Sequence, residues 1–361
     1  MTQKNLGSVA AHLKSLLPTS IPEDLTVSVD YMSIASQGEI KKGLLAFRDY
    51  MERLYDHLMN DDELKDTPIK KKKKFSDETT LTVEFPFINN IKSILINIAR
   101  YGVFLDDRSA IRVDEWNKLC LKTSLNKNST STISNAQMLK TLRFLSSTGL
   151  SILGIDLNQK KIDPSSIKYL EFSYLENQDI LIGHRAFGLA QDIFSTRKND
   201  DILLRCDYQS LSPDNEDLEL VLEEFTKSLS TDLQDQLRSL HKEYLKQGMK
   251  CEIDKGFLCT QILYSIKGKM LWRFSQSYHN GFRLVMKAKK EKSYMDVVEG
   301  FSQELGNKIK AGYGCNRKSG SGHGNCQRGC EGISFPMDRK LLTLIQEIHQ
   351  WQQNELKYYL G

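Results

Sequence analysis

The chain has 361 residues, of which 40% are hydrophobic and 27% charged, and its formal net charge is +4. This composition is typical of a globular protein, and the length predicts two or three domains of roughly 100–150 residues. No apolar run approaches the ~20 residues that a membrane span needs, and the first residues lack the apolar core of a signal peptide. The sequence therefore predicts a cytoplasmic protein without membrane contact, and its odd number of cysteines, seven, argues against a disulfide framework.

Charge is distributed unevenly along the chain. Residues 249–361 contain 18 Lys and Arg against 10 Asp and Glu, whereas the preceding residues are slightly acidic. A basic surplus of this kind favours binding to DNA or to an acidic protein partner. Motifs for a nucleophilic serine, a zinc peptidase, a dinucleotide site or a kinase are missing, so the sequence leans away from an enzyme.

Two amphipathic helices are predicted in the N-terminal segment, residues 1–66. The first covers residues 5–17 and ends at Pro18. The second covers residues 37–59 and carries an apolar stripe at helical spacing: Ile40, Leu44, Phe47, Met51, Leu54 and Leu58. Such a stripe packs in a core or against a second copy of the chain in a homodimer.

Residues 67–84 combine acidic residues, a proline and five consecutive lysines, Lys70 to Lys74. Because like charges repel one another and resist burial, this stretch is predicted to be a solvated linker, with a nuclear-targeting signal or a nucleic-acid-binding arm as the alternative. It precedes a middle domain at residues 85–211.

The middle domain is predicted to contain three helices followed by two strands. The third helix begins after Ser134, which can cap it, and buries Met138, Leu139, Leu142 and Leu145. The other elements are helices at 88–101 and 113–122 and strands at 151–157 and 167–175. A further helix at 180–194, which contains His184, and a strand at 201–209 complete the domain.

Three helices and a two-stranded ribbon over residues 88–175 follow the element order of a winged-helix domain, and the stretch resembles that family. In that family the third helix enters the major groove of DNA and the hairpin wing contacts the backbone. The resemblance implies two sets of DNA contacts. The groove-facing residues would be Asn135, Gln137, Lys140, Thr141 and Arg143, and the wing-tip residues would be Lys160 and Lys161. Winged-helix domains also serve as protein-protein modules.

The C-terminal domain, residues 212–361, is predicted to be an antiparallel α+β sandwich. Its elements are helices at 215–229 and 231–247, strands at 250–254 and within 261–289, and helices at 294–309 and 338–359. The meander QILYSIKGKMLWRFSQSYHNGFRLVMKAK resembles the strands of small bacterial MmcQ/YjbR-like α/β domains, a resemblance that extends over residues 249–310 and implies only a fold.

The meander also shows strict alternation. Met270, Trp272 and Phe274 fall on one predicted face, and Arg273 falls on the other, which is basic. The dipeptide Asn280-Gly281 favours a type I′ turn.

A Gly-rich loop at residues 312–332 contains four soft metal ligands: Cys315, His323, Cys326 and Cys330. Four such ligands favour a tetrahedral zinc site, with a redox or iron–sulfur role or an unligated loop as alternatives. Its basic side chains also fit an anion-binding loop, through Arg317, Lys318 and Arg328.

The expected architecture is therefore a multi-domain α+β protein with a winged-helix-like middle part and a C-terminal sandwich. The expected function is that of a regulatory or binding protein that binds DNA or another protein. The alternative is a zinc-binding or redox protein, or an enzyme, built on the loop between Cys315 and Cys330.

Overall fold

A computed structural model describes most of the chain in ten stretches: residues 5–67, 70–73, 81–84, 86–120, 133–159, 168–195, 201–213, 217–286, 295–311 and 333–360. The chain forms two compact units, residues 1–216 (unit 1) and residues 217–361 (unit 2). Helices and antiparallel sheets occur in both, which confirms the predicted α+β class. None of the helices in these stretches is long and apolar enough to cross a membrane.

Unit 1 contains the six helices that the sequence predicts for this part of the chain, α1 to α6. Its elements are α1 (Leu6–Ser15), a 3₁₀ turn (Val29–Tyr31), α2 (Gln37–Asn60), β1 (Lys70–Lys73), β2 (Leu81–Glu84), α3 (Pro86–Tyr101), β3 (Val103–Phe104), β4 (Ser109–Arg112), α4 (Val113–Cys120), α5 (Asn135–Ser147), β5 (Leu150–Leu153), β6 (Tyr169–Tyr174), α6 (Asp179–Ser195), α7 (Ile202–Arg205) and a 3₁₀ turn (Tyr208–Leu211). Within the predicted linker, Lys70–Lys73 form β1, which pairs antiparallel with β2, a strand pair that the sequence did not predict. Strand formation depends on a pairing partner, which local composition does not reveal.

Helix α2 packs against α6 inside unit 1. It begins with a capping box, in which Ser36 and Glu39 satisfy each other's backbone N–H groups. All six residues of its predicted apolar stripe are fully buried. Two glycines, Gly43 and Gly183, let the helix backbones approach, since a Cβ on Gly183 would lie 2.0 Å from the Gly43 carbonyl oxygen. The stripe is thus core, and it is not available as a homodimer interface.

A four-stranded antiparallel sheet lies among α3, α4 and α5, with the strand order β3-β4-β6-β5. The sequence predicts β5 and β6 but not β3 or β4. The sheet buries one face, where the ring of Trp116 from α4 lies 5.3 Å from that of Phe172. Further core residues of this part are Ile111, Val113, Ile133, Leu139, Leu142 and Leu170.

The predicted strand at 201–209 is wrong, because this segment forms α7 and a 3₁₀ turn. Asp201 caps α7 by accepting a hydrogen bond from the Leu204 N–H at 3.3 Å. Gln191 from α6 accepts a second one from the Ile202 N–H at 2.8 Å. A short apolar run has no distinctive period, so periodicity alone does not decide between helix and strand.

Unit 2 forms the expected sandwich. Its elements are α8 (Leu218–Thr226), α9 (Thr231–Lys246), β7 (Lys250–Asp254), β8 (Cys259–Ile266), β9 (Lys269–Ser277), β10 (Gly281–Met286), α10 (Met295–Glu299), α11 (Gln303–Ala311), β11 (Ile333–Pro336) and α12 (Arg339–Leu360). The predicted helix at 294–309 is divided into α10 and α11 around Gly300. Strand β11 was not predicted, and it completes an antiparallel sheet of order β11-β10-β9-β8-β7.

Helices cover the apolar face of this sheet. Trp272 and Phe274 are fully buried there, as the alternation predicts. The Tyr244 ring of α9 lies 4.8 Å from Trp272, and the Trp351 ring of α12 lies 6.4 Å from Phe335. The apolar stripe of α12 joins the same core: Leu341, Leu344, Ile345, Ile348, Leu356 and Tyr359.

A β-bulge in β9 alters the predicted pattern. Tyr264 pairs with Trp272 and Ser265 pairs with Met270, so Leu271 has no partner on β8. This extra residue places Leu271 in the core beside Trp272. Met270 is half-exposed and pairs with Ser265, so the prediction that it shares the apolar face was wrong.

The two hairpin turns differ in type, and the type I′ turn is not the one that was predicted. Lys267 and Gly268 have φ values of 48° and 71° and form a two-residue loop, as in a type I′ turn. The turn predicted at Asn280-Gly281 is different, because only Gly281 has a positive φ, 64°. Ser277 pairs with Gly281, which leaves a three-residue loop.

Candidate nucleic-acid interface

Helix α5 exposes one polar stripe to solvent. Ser134 caps the helix, since its side chain accepts a hydrogen bond from the Gln137 N–H at 3.4 Å. The opposite side packs in the core through Met138, Leu139, Leu142, Phe144 and Leu145. Gln137, Lys140 and Arg143 are exposed and lie one helical turn apart, so they share one face.

The structure does not place all predicted contact residues on that face. Thr141 is fully buried, and its hydroxyl donates to the Gln137 carbonyl at 2.7 Å. Asn135 is half-buried at the first turn. Lys160 and Lys161 lie outside the described residues. The accessible part of the predicted set therefore consists of Gln137, Lys140 and Arg143.

Arg143 connects α5 to the segment that follows β5. Its Nε donates to the Leu157 carbonyl at 2.5 Å, and its Nη2 donates to the Gln159 carbonyl at 3.2 Å. Asp156 shapes the same segment, because its carboxylate accepts a hydrogen bond from the Asn158 N–H at 2.9 Å. Arg143 is thus a positioning residue that holds this segment beside the exposed stripe, and sequence reasoning did not anticipate that role.

The sequence of the segment that contains α5 is basic. Residues 86–174 contain 12 Lys and Arg against 7 Asp and Glu. Asp114 is neutralised by Arg112, whose Nε and Nη2 each donate to it at 3.0 Å, and this bidentate contact lowers the pKa of Asp114. Lys140 makes no ion pair with any residue that the structure describes. The ammonium group of Lys140 is therefore available to a phosphate.

The solvent face of the neighbouring sheet exposes apolar side chains. Val103, Leu153 and Tyr169 are 65%, 57% and 51% exposed. Val103 and Leu153 lie in one row across the sheet, with Ala110 and Glu171 between them. Val103, Leu153 and Tyr169 are thus exposed apolar side chains on one face of the sheet, and Glu171, which pairs with Arg108, lies between Val103 and Leu153.

The described residues contain no metal centre. No group of three or more His, Cys, Asp or Glu side chains within those stretches is arranged to hold a metal ion. The proposed zinc ligands, Cys315, His323, Cys326 and Cys330, lie outside the described residues, as do Arg317, Lys318 and Arg328. His184 lies in the core of unit 1, where both ring nitrogens have partners.

Comparison with known proteins does not identify this interface. The chain matches no protein-family model, no curated protein and no solved structure. Its function is therefore inferred from helix α5, the segment after β5 and the charge around them.

Proposed function

We propose that unit 1 binds duplex DNA through a winged-helix-type module formed by residues 86–174. The observation that carries the proposal is the order α3, β4, α4, α5, β5, β6, with β6 between β4 and β5. In winged-helix proteins the last helix of this series lies in the major groove and the hairpin contacts the backbone. The basic surplus of the segment supports the same interpretation.

In this proposal, α5 supplies the contacts within the groove. Gln137 is suited to adenine, because its amide both donates and accepts, and Lys140 is suited to guanine or a phosphate. Arg143 acts indirectly, since its guanidinium group holds the segment after β5. The protein would act as a regulatory DNA-binding protein that performs no chemistry.

Fluorescence anisotropy with mixed-sequence duplex DNA at low salt tests the proposal. We expect binding whose affinity falls as salt rises, because each neutralised phosphate releases counterions. Binding without salt dependence, or no binding, would contradict it. The exposed apolar side chains of Val103, Leu153 and Tyr169 would then favour protein binding, the second known use of such modules.

The variant Lys140→Ala locates the interface. We expect it to weaken duplex binding several-fold and to lower the slope of log K against log salt by about 0.9, the value for one phosphate contact. Lys42→Ala, at an exposed position of α2, is the matched control and should bind as the wild type does. Equal losses in both variants would show that only the overall charge matters.

Zinc binding by Cys315, His323, Cys326 and Cys330 stays a prediction. Metal analysis of freshly purified protein tests it. Less than one zinc or iron per chain, with all thiols titratable, would rule against a metal site in this loop.

A further inference from the structure

Two arginines lie side by side on the outer face of the unit 2 sheet, opposite the helices. Arg273 is on β9, the middle strand, and Arg283 is on β10. The register pairs Arg273 with Val285 and Arg283 with Ser275, which makes the two arginines diagonal neighbours. Diagonal neighbours in antiparallel strands are roughly 7–8 Å apart, a separation that two arginine side chains can span together.

Among the residues that the structure describes, Arg273 has no acidic partner. Its side chain is half-buried, and its Nε is shielded from solvent without a hydrogen bond. None of the residues that the structure describes forms an ion pair with it. A donor that is shielded from water without a partner is unfavourable in a native fold, so the Nε of Arg273 favours a ligand that accepts a hydrogen bond.

Arg283 is held in place by two hydrogen bonds, one of them to β11. Its Nε donates to the Asn280 carbonyl at 3.2 Å, and its Nη1 donates to the Ser334 hydroxyl at 3.0 Å. The Nη2 group is not used in these bonds. The acidic residues of this face, Glu252 and Asp254, lie on β7, which β8 separates from β9.

We propose that Arg273 and Arg283 bind the phosphate group of a small phosphorylated molecule, with the Ser275 hydroxyl beside them. The planar guanidinium group matches two phosphate oxygens and binds them with charge-assisted hydrogen bonds. A polynucleotide fits less well, because the described residues of this face include no aromatic side chain on which bases would stack. This site is independent of the DNA interface proposed for unit 1.

Thermal unfolding of the full chain tests the site, with inorganic phosphate as the probe. Phosphate is titrated against sodium chloride at constant ionic strength, and acetate is the control anion. We expect phosphate at tenfold its Kd to raise Tm by roughly 3 °C, since a ligand of the native state stabilises it. Acetate at the same concentration should raise Tm less.

The variant Arg273→Gln separates binding from structure. Because the variant removes a donor that has no partner, its Tm in sodium chloride should be at least equal to that of the wild type. Phosphate should no longer raise the Tm of the variant. Arg273→Lys keeps the charge but loses the planar fork, so we expect roughly tenfold weaker binding. Arg339→Gln, at an exposed position of α12, is the matched control and should keep the full phosphate effect.

Two results would overturn the proposal. The first is a rise of Tm with phosphate that persists in both Arg273→Gln and Arg283→Gln, since each variant removes one of the two guanidinium groups that are proposed to bind the anion. The second is loss of oligonucleotide binding in Arg273→Gln while inorganic phosphate has no effect on the wild type, which would assign the face to nucleic acid.

Discussion

His184 links three elements of unit 1 through its two ring nitrogens. Its Nε2 lies 2.8 Å from the Leu95 carbonyl, which can only accept, so Nε2 carries the proton. Its Nδ1 lies 3.0 Å from the Tyr174 hydroxyl and accepts from it. The ring stacks on Phe47, with centroids 5.2 Å apart. The neutral imidazole is thus fully satisfied, and burial lowers the pKa of His184 to about 4.

This shift predicts how the stability of unit 1 depends on pH. Between the unfolded pKa of 6.5 and the folded pKa of about 4, the unfolded chain binds more protons than the folded one. The free energy of unfolding should therefore be undiminished above pH 6.5 and fall by about 3 kcal/mol as pH falls to 4. Urea denaturation across this range measures the slope.

His184→Gln provides the comparison. It retains a donor for the Leu95 carbonyl but no group that titrates in this window. We expect lower stability at neutral pH and a flatter slope between pH 6.5 and 4. Equal slopes in the two proteins would show that other groups cause the acid sensitivity.

The contacts of His184 also show that a sequence does not predict the partners of a single buried side chain. An isolated histidine within a helix indicates a structural role, which agrees with its burial. The identity of its partners does not follow, because Leu95 lies 89 positions away along the chain. Arg143 is similar: its exposure follows from helical spacing, but its contacts with the Leu157 and Gln159 carbonyls depend on the path of the chain after β5.

At the level of elements, two glycines determine how closely α2 approaches α6. We expect Gly183→Ala to destabilise the protein by about 2–3 kcal/mol, since its Cβ would overlap the Gly43 carbonyl and force the helices apart. Chemical denaturation measures the change. Gly38→Ala is the control: nothing lies within 4 Å of its added Cβ, and alanine should stabilise the helix slightly.

An unchanged stability in Gly183→Ala would mean that the helices separate without cost. The sequence shows both glycines but not that they face each other, because periodicity gives the buried side of a helix and not its neighbour.

Long amphipathic helices were the elements that the sequence predicted best. Helices α2 and α12 each carry a long apolar stripe, and both begin and end within a few residues of the predicted bounds. The short strands β3, β4 and β11 were missed, since they have two to four residues and too little alternation to detect. The missed strand β4 matters most, because it pairs with β6 and completes the arrangement on which the DNA proposal depends.

For the whole molecule, the order of predicted helices and strands indicated the α+β class but not which charged side chains lack a partner. The predicted basic face of the meander is present as Arg273 and Arg283. Among the described residues, no acidic side chain pairs with Arg273. This can be seen only from the register of the five strands. The candidate zinc ligands lie outside those residues, so that part of the prediction stays open to metal analysis.

The apolar stripes of α2 and α12 are both buried within their own units, which predicts how Tm depends on protein concentration. An obligate dimer built on such stripes would gain stability by mass action, and its Tm would rise with protein concentration. Here folding buries the stripes in a unimolecular step. We expect Tm to stay constant over a roughly hundredfold range of protein concentration. A steady rise in calorimetry would indicate that self-association contributes to the native state.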